Sequence, residues 1–211
     1  SGNIGSARIA QKIGIDKFNE FLNNIGILTN ISFDIDETGE TQIGRWGKCK
    51  LLTVGFGHGI ATTLLQLSKG YAIISNGGFE ISPTIIKRNN YKKGKRVLNP
   101  IVSEKLNPIL RKIVSTEEGT ASFADVKGYE IGGKTGTADI ASIGGYSKKK
   151  INTFASVFPT SNPKLALLVM LDEPKANKDF VYKYRDERQP YKGNWRNTAG
   201  WTTVWVTGQI I

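Results

Sequence analysis

Apolar positions change their rhythm twice along the chain. At the start Ile4, Ala7, Ile9, Ala10 and Ile13 recur at mixed helical spacing, which predicts a helix over residues 4–13. Asp16 can cap a second short helix that carries through Leu22 and stops near Gly26. From Ser32 to Lys50 glycines and polar residues dominate, the pattern of a loop with short extended pieces. Leu64, Leu65, Leu67, Tyr71, Ala72 and Ile74 then mark a helix that Thr62 or Thr63 can cap. Asn76-Gly77-Gly78 ends it, because these residues tolerate the left-handed backbone that closes a helix.

An extended stretch over residues 79–86 leads into Lys87 to Arg96, a hairpin or loop with Asn89-Asn90 as a turn. Ser103 starts a helix through Val114, and Pro108 within it predicts a kink or a delayed start. The last third reads differently. Tyr129 to Ala138, Asn152 to Phe158 and Lys164 to Leu171 are three strand patterns divided by turns, an antiparallel meander. Phe180 to Asn197 is a polar, aromatic-rich connection. Thr198 to Ile211 places Trp201, Val204, Val206 and Ile210 at approximate helical spacing against an opposing β-branched content. The fold class expected is α/β of the α+β kind: a mostly helical part over 1–115, then an antiparallel sheet with a C-terminal helix over 116–211.

Composition narrows the chemistry. With 39% apolar residues in 211, the chain can build a core. Its single cysteine, Cys49, rules out an intrachain disulfide and a thiolate metal cluster. With His58 the only histidine, a zinc site would have to draw on carboxylates, so no metal and no cofactor is expected. Asp34 with Asp36 and Asp172 with Glu173 read as solvated loop or strand-end charges. No apolar run reaches the eighteen or so residues of a membrane span, and Ser1-Gly2-Asn3-Ile4-Gly5 lacks the plan of a signal peptide. The 29 basic against 18 acidic residues give +11. They concentrate at Lys87-Arg88, Lys92 to Arg96, Lys148 to Lys150 and Lys183 to Arg188, which fits solvated loops or a face toward anionic lipid or a pyrophosphate-linked substrate. A nucleic-acid binder ranks last, for want of any such motif.

The strand pattern Tyr129 to Ala138 carries Lys134-Thr135-Gly136-Thr137. A cation beside two hydroxyls and a flat glycine backbone can receive a carboxylate, although the triplet alone also fits a strand end entering a turn. Ser1-Gly2-Asn3 fits a Ser-x-Asn element, and the two together are elements of β-lactamases and penicillin-binding proteins. The block Gly55-Phe56-Gly57-His58-Gly59-Ile60-Ala61-Thr62-Thr63, running on through Leu67 and Tyr71 to Gly77-Gly78, resembles the glycine-rich loop and helix of class B penicillin-binding proteins. It departs at Leu64, where the family has proline. Gly144-Gly145-Tyr146-Ser147 and Ala199-Gly200-Trp201 extend the resemblance over essentially all 211 residues, and its division-type members resemble the chain most.

The resemblance implies an incomplete penicillin-binding-protein/β-lactamase-like fold and acyl transfer through a serine ester from the D-alanyl-D-alanine end of a peptidoglycan stem peptide, which β-lactams mimic. Ser1 would relay a proton, Asn3 would bond the substrate amide, and Lys134 would supply positive potential. Thr135 and Thr137, flanking Gly136, would hold the carboxylate, and the Thr137 N–H would form half of an oxyanion hole. His58 is then a loop residue and not a general base. The nucleophilic Ser-x-x-Lys is not found at a helix start: its letters occur only at Ser147 to Lys150 and Ser161 to Lys164, in turns or loops. The chain is therefore expected to be the C-terminal portion of a transpeptidase domain, inactive alone. Its place would be on the outer side of the bacterial cytoplasmic membrane, among division or elongation partners. Two strands missing upstream would leave the third strand's edge bare and prone to self-association or strand exchange. A non-catalytic β-lactam or peptidoglycan sensor of the same fold is the alternative.

Overall fold

The computed structural model describes residues 2–89, 92–142, 145–176 and 196–211. Ser1, Asn90, Gly144 and most of the Phe180 to Asn197 connection lie outside the described residues. The chain forms two compact units, Ser1–Ile74 with Gly78–Asn99, and Ser75–Gly77 with Pro100–Ile211.

In the first unit, α1 (Asn3–Ile13) and α2 (Ile15–Asn24) meet at Gly14, whose φ of 84° breaks the helix. Gly14 occupies the cap position, so Asp16 does not cap α2 but sits in its first turn, where its charge suits the helix dipole. Leu22, Ile25, Ile27, Val54 and Ile73 form the core, flanked by Phe18 and Trp46 with rings edge to face at 6.4 Å. β1 (Gln42–Ile43) pairs with β2 (Ile60–Ala61). Between them lies α3 (Lys48–Val54), where only loop is expected as far as Lys50. Seven residues with Leu51 and Val54 buried are too short to show a period.

Thr63 is the cap of α4 (Leu64–Ser75): its Oγ1 accepts from Gln66 N–H at 3.1 Å, and Gln66 Oε1 accepts from Thr63 N–H at 3.1 Å. Gln66 is wholly buried and also donates to Thr29 O at 2.9 Å, tying the helix start to the preceding loop. Gly77 and Gly78 close the helix with φ of 89° and 81°. Lys95 to Val97 lie against residues 78–80, with Phe79 opposite Arg96 and with Lys93 and Arg96 over the Phe79 ring.

In the second unit α5 (Pro100–Ser115) begins three residues before Ser103, because Pro100 fits a first helical position, where no N–H is needed. Pro108 lies inside it. Ser103 Oγ accepts from Gly77 N–H at 2.9 Å, so the residue expected to start the helix instead fastens its side. The sheet is the expected antiparallel meander, in the order β3 (Gly132–Ser142), β4 (Gly145–Phe158), β5 (Leu165–Asp172). β4 starts seven residues before Asn152, since its polar first half pairs with the outer half of β3 and shows no apolar alternation. Phe154, Phe158 and Ile131 pack with Val114, Ala121, Ala124 and Val204. The chain ends in a 3-10 turn, Ala199–Trp201, and α6 (Thr203–Ile210). There the β-branched threonines serve the helix: Thr203 and Thr207 hydroxyls donate to Ala199 O and Thr203 O.

Candidate functional site

The site is built on the inner half of β3. Lys134 faces Ala155 across the ladder, Thr135 faces Phe154, Gly136 faces Thr153 and Thr137 faces Asn152. Side chains alternate along a strand and directly opposed residues share a face. Lys134 and Gly136 therefore lie on one face, Thr135 and Thr137 on the other. Gly132 leads into them against α5, where a Cβ would stand 2.8 Å from Arg111 N and 2.9 Å from Leu110 C. Arg111 then pins the strand's approach, donating to Ile131 O at 2.8 Å and pairing with Asp125 at 2.8 Å. β3 is an edge of the three-stranded sheet, so its second ladder face is not taken by a strand among the described residues.

Lys134 is half-buried, and Nζ donates to Thr135 O at 2.7 Å. Burial disfavours its charged form and lowers its pKa from the ordinary 10.5. Such an amine gives up its proton more readily than a surface lysine. Thr135 Oγ1 lies 3.1 Å from Thr120 Oγ1. Thr137 is exposed, and its Oγ1 accepts from the Ala199 N–H at 3.0 Å. A hydroxyl that accepts one bond keeps its own proton to donate elsewhere. The strand thus presents two oriented hydroxyls on one face, suited to an anionic oxygen, and a partly desolvated amine from the other.

Four of the six expected residues, Lys134, Thr135, Gly136 and Thr137, come together on this strand. Asn3 opens α1 in the first unit, exposed, and Ser1 lies outside the described residues. Sequence reasoning missed the parts played by Thr120 and Ala199. Thr120 sits in no motif, and Ala199 acts through its main chain, which a side-chain pattern cannot register. The His58 ring lies 5.4 Å from that of Phe56, tilted by 48°. Among the described residues no three His, Cys, Asp or Glu side chains are grouped to hold a metal.

This three-stranded sheet, its flanking helices and a Lys-Thr-Gly-Thr strand are features of the class that holds β-lactamases and penicillin-binding proteins. Residues 1–188 match the penicillin-binding protein transpeptidase domain, and the chain belongs to that family, with the class B, division-type members. The probable peptidoglycan D,D-transpeptidase FtsI of Caulobacter vibrioides is 30% identical over 224 residues, covering 100% of this chain and 36% of that protein. The apo TP domain of Burkholderia pseudomallei penicillin-binding protein 3 superposes with a TM-score of 0.76 at 29% identity, over 82% of this chain and 54% of that one. The ampicillin complex of penicillin-binding protein 3 from Mycobacterium tuberculosis shares the fold, with a TM-score of 0.79 at 23% identity over 99% of this chain and 47% of that one. The chain spans about a third of the length of the curated relatives it matches. No helix among the described residues is long and apolar enough to cross a membrane.

Proposed function

We propose that these 211 residues are the C-terminal portion of one D,D-transpeptidase domain and supply its carboxylate-binding wall. The observation that carries the reading is the Lys134 to Thr137 strand, with a desolvated amine and with hydroxyls held by Thr120 and Ala199. Thr135 and Thr137 bind the terminal carboxylate of a D-alanyl-D-alanine stem peptide or of a β-lactam, and Gly136 between them carries no side chain because a Cβ there would stand 2.6 Å from Thr153 Oγ1 on the other face. The Thr137 N–H stabilises the oxyanion, a donor whose loss costs about 3–4 kcal/mol in comparable sites. Lys134 provides positive potential and takes part in proton transfer with Ser1, while Asn3 bonds the substrate amide.

The acylated serine comes from residues other than these, because neither Ser147 nor Ser161 fits the role. Ser147 lies on β4, and Ser161 lies in the β4–β5 turn, where its hydroxyl donates to Glu130. The working protein stands on the outer side of the cytoplasmic membrane, where uncrosslinked stem peptides are found, with partners in the division or elongation machinery. Fluorescent penicillin tests the reading. The gene product with its Ser-x-x-Lys serine should carry a covalent label that survives denaturation, and the 211-residue chain should carry none. A gene product that stays unlabelled overturns the enzymatic reading in favour of a non-catalytic sensor.

A further inference from the structure

One register position of the sheet is tied twice to the same distant segment. Thr137 on β3 and Asn152 on β4 are directly opposed, on one face. Ala199 N–H donates to Thr137 Oγ1 at 3.0 Å, and Asn152 Nδ2 donates to Asn197 Oδ1 at 2.8 Å. Between these ties the chain turns tightly, with Thr198 N bonded to Arg196 O at 2.8 Å and Trp201 N to Thr198 O at 3.0 Å. Gly200 sets the depth of the turn, since a Cβ there would stand 2.7 Å from Thr120 O, and Thr120 is the residue that meets Thr135.

Asn152 is poorly suited to a purely structural post. It is wholly buried, and its Oδ1 has no hydrogen-bond partner among the described residues. A buried amide half left unsatisfied works against stability, and an apolar residue of similar volume would avoid that cost. What the amide does supply is one directed bond to Asn197, two residues from the amide that holds Thr137.

We propose that Asn152 and Asn197 are positioning residues for substrate carboxylate. Their bond holds the 196–201 turn so that Ala199 N–H occupies a lone pair of Thr137 Oγ1. The Thr137 hydroxyl proton is thereby aimed at the anionic oxygen. The inference rests on Thr137 binding a carboxylate, and it extends the site to a strand and a turn that touch no substrate.

The test uses the full-length gene product and compares acylation by a penicillin with acylation by its methyl ester, which lacks the anionic charge. The readout is the ratio of the two second-order rates. Asn197→Ala and Asn152→Leu should each lower the carboxylate preference, on the order of tenfold, the loss of one oriented hydrogen bond to a charged group. Asn152→Leu should do so with its thermal midpoint unchanged or raised. Val114→Ala, a cavity in the core, should lower the midpoint and leave the ratio unchanged. Thr137→Val separates the two levels. If it lowers the ratio while the asparagine variants do not, the positioning role is overturned and the carboxylate reading stands. If it leaves the ratio unchanged, the carboxylate reading falls and this inference with it. A fall in the ratio for Val114→Ala equal to that of the asparagine variants would also overturn the inference, as would a loss for Asn152→Leu matched by a loss of stability. Where Asn152→Leu does not fold, the half-buried Asn197→Ala decides.

Discussion

At Lys134 a strand position that removes water from an ammonium group sets the chemistry of the site. The unfolded chain holds this proton with the ordinary pKa of 10.5, and the folded chain holds it less tightly. Between those two values the unfolded state binds more protons, so stability rises with pH across the window. Below the folded pKa the full penalty of sheltering the charge is present. Lys134→Gln should abolish that rise, so that the wild type gains on the variant as pH climbs toward 10.5. Urea midpoints of the two proteins across that range would show it, and parallel curves would contradict the desolvation account. Thr135 and Thr137 carry no titratable charge, and their contribution lies in where Thr120 and Ala199 turn their hydroxyls.

Among the elements, β3 depends on how closely α5 approaches it. Gly132 allows that approach, and a methyl there would meet the main chain of Leu110 and Arg111, which cannot swing aside as a side chain can. Gly132→Ala should therefore destabilise by about 1–3 kcal/mol, the range of overpacked cores. A lower denaturant midpoint at unchanged slope would confirm it, and a midpoint equal to wild type would show that α5 yields. Other elements divide by how local their causes are. The two opening helices, the α4 helix with its glycine stop, and the meander were legible because period and breaker residues are local signals. Thr63-x-x-Gln66 is likewise local, a capping box that decides between the two candidate caps. α3 and the first half of β4 were not legible. One is too short for a period, and the other is a polar ribbon whose order comes from its partner strand, with Lys150 paired to Asp139 and Lys149 to Glu173.

For the whole molecule the sheet edges that no strand among the described residues pairs and the net charge act in opposite directions. Among the described residues β5 is the far edge of the sheet, and Leu165 and Met170 on it are exposed, a template for pairing with another chain. Against this stands a charge of +11, which repels like copies over a Debye length of about 8–10 Å near physiological salt. The isolated 211-residue chain should therefore self-associate, more so as salt rises and repulsion is screened. Static light scattering across concentration and ionic strength would report a climbing mass, whereas a constant monomer mass at high concentration and high salt would refute it.

The sequence by itself determined that a lysine, two threonines and a glycine share one strand, and that helices precede a meander. Both follow from neighbours along the chain, where spacing dictates which residues share a face. Only the tertiary structure decided how those hydroxyls are held. Thr120 reaches Thr135 across 15 residues, Asn152 reaches Asn197 across 45, and Ala199 reaches Thr137 across 62. A hydrogen bond between residues so far apart, one of them through its main chain, leaves no period and no motif to read.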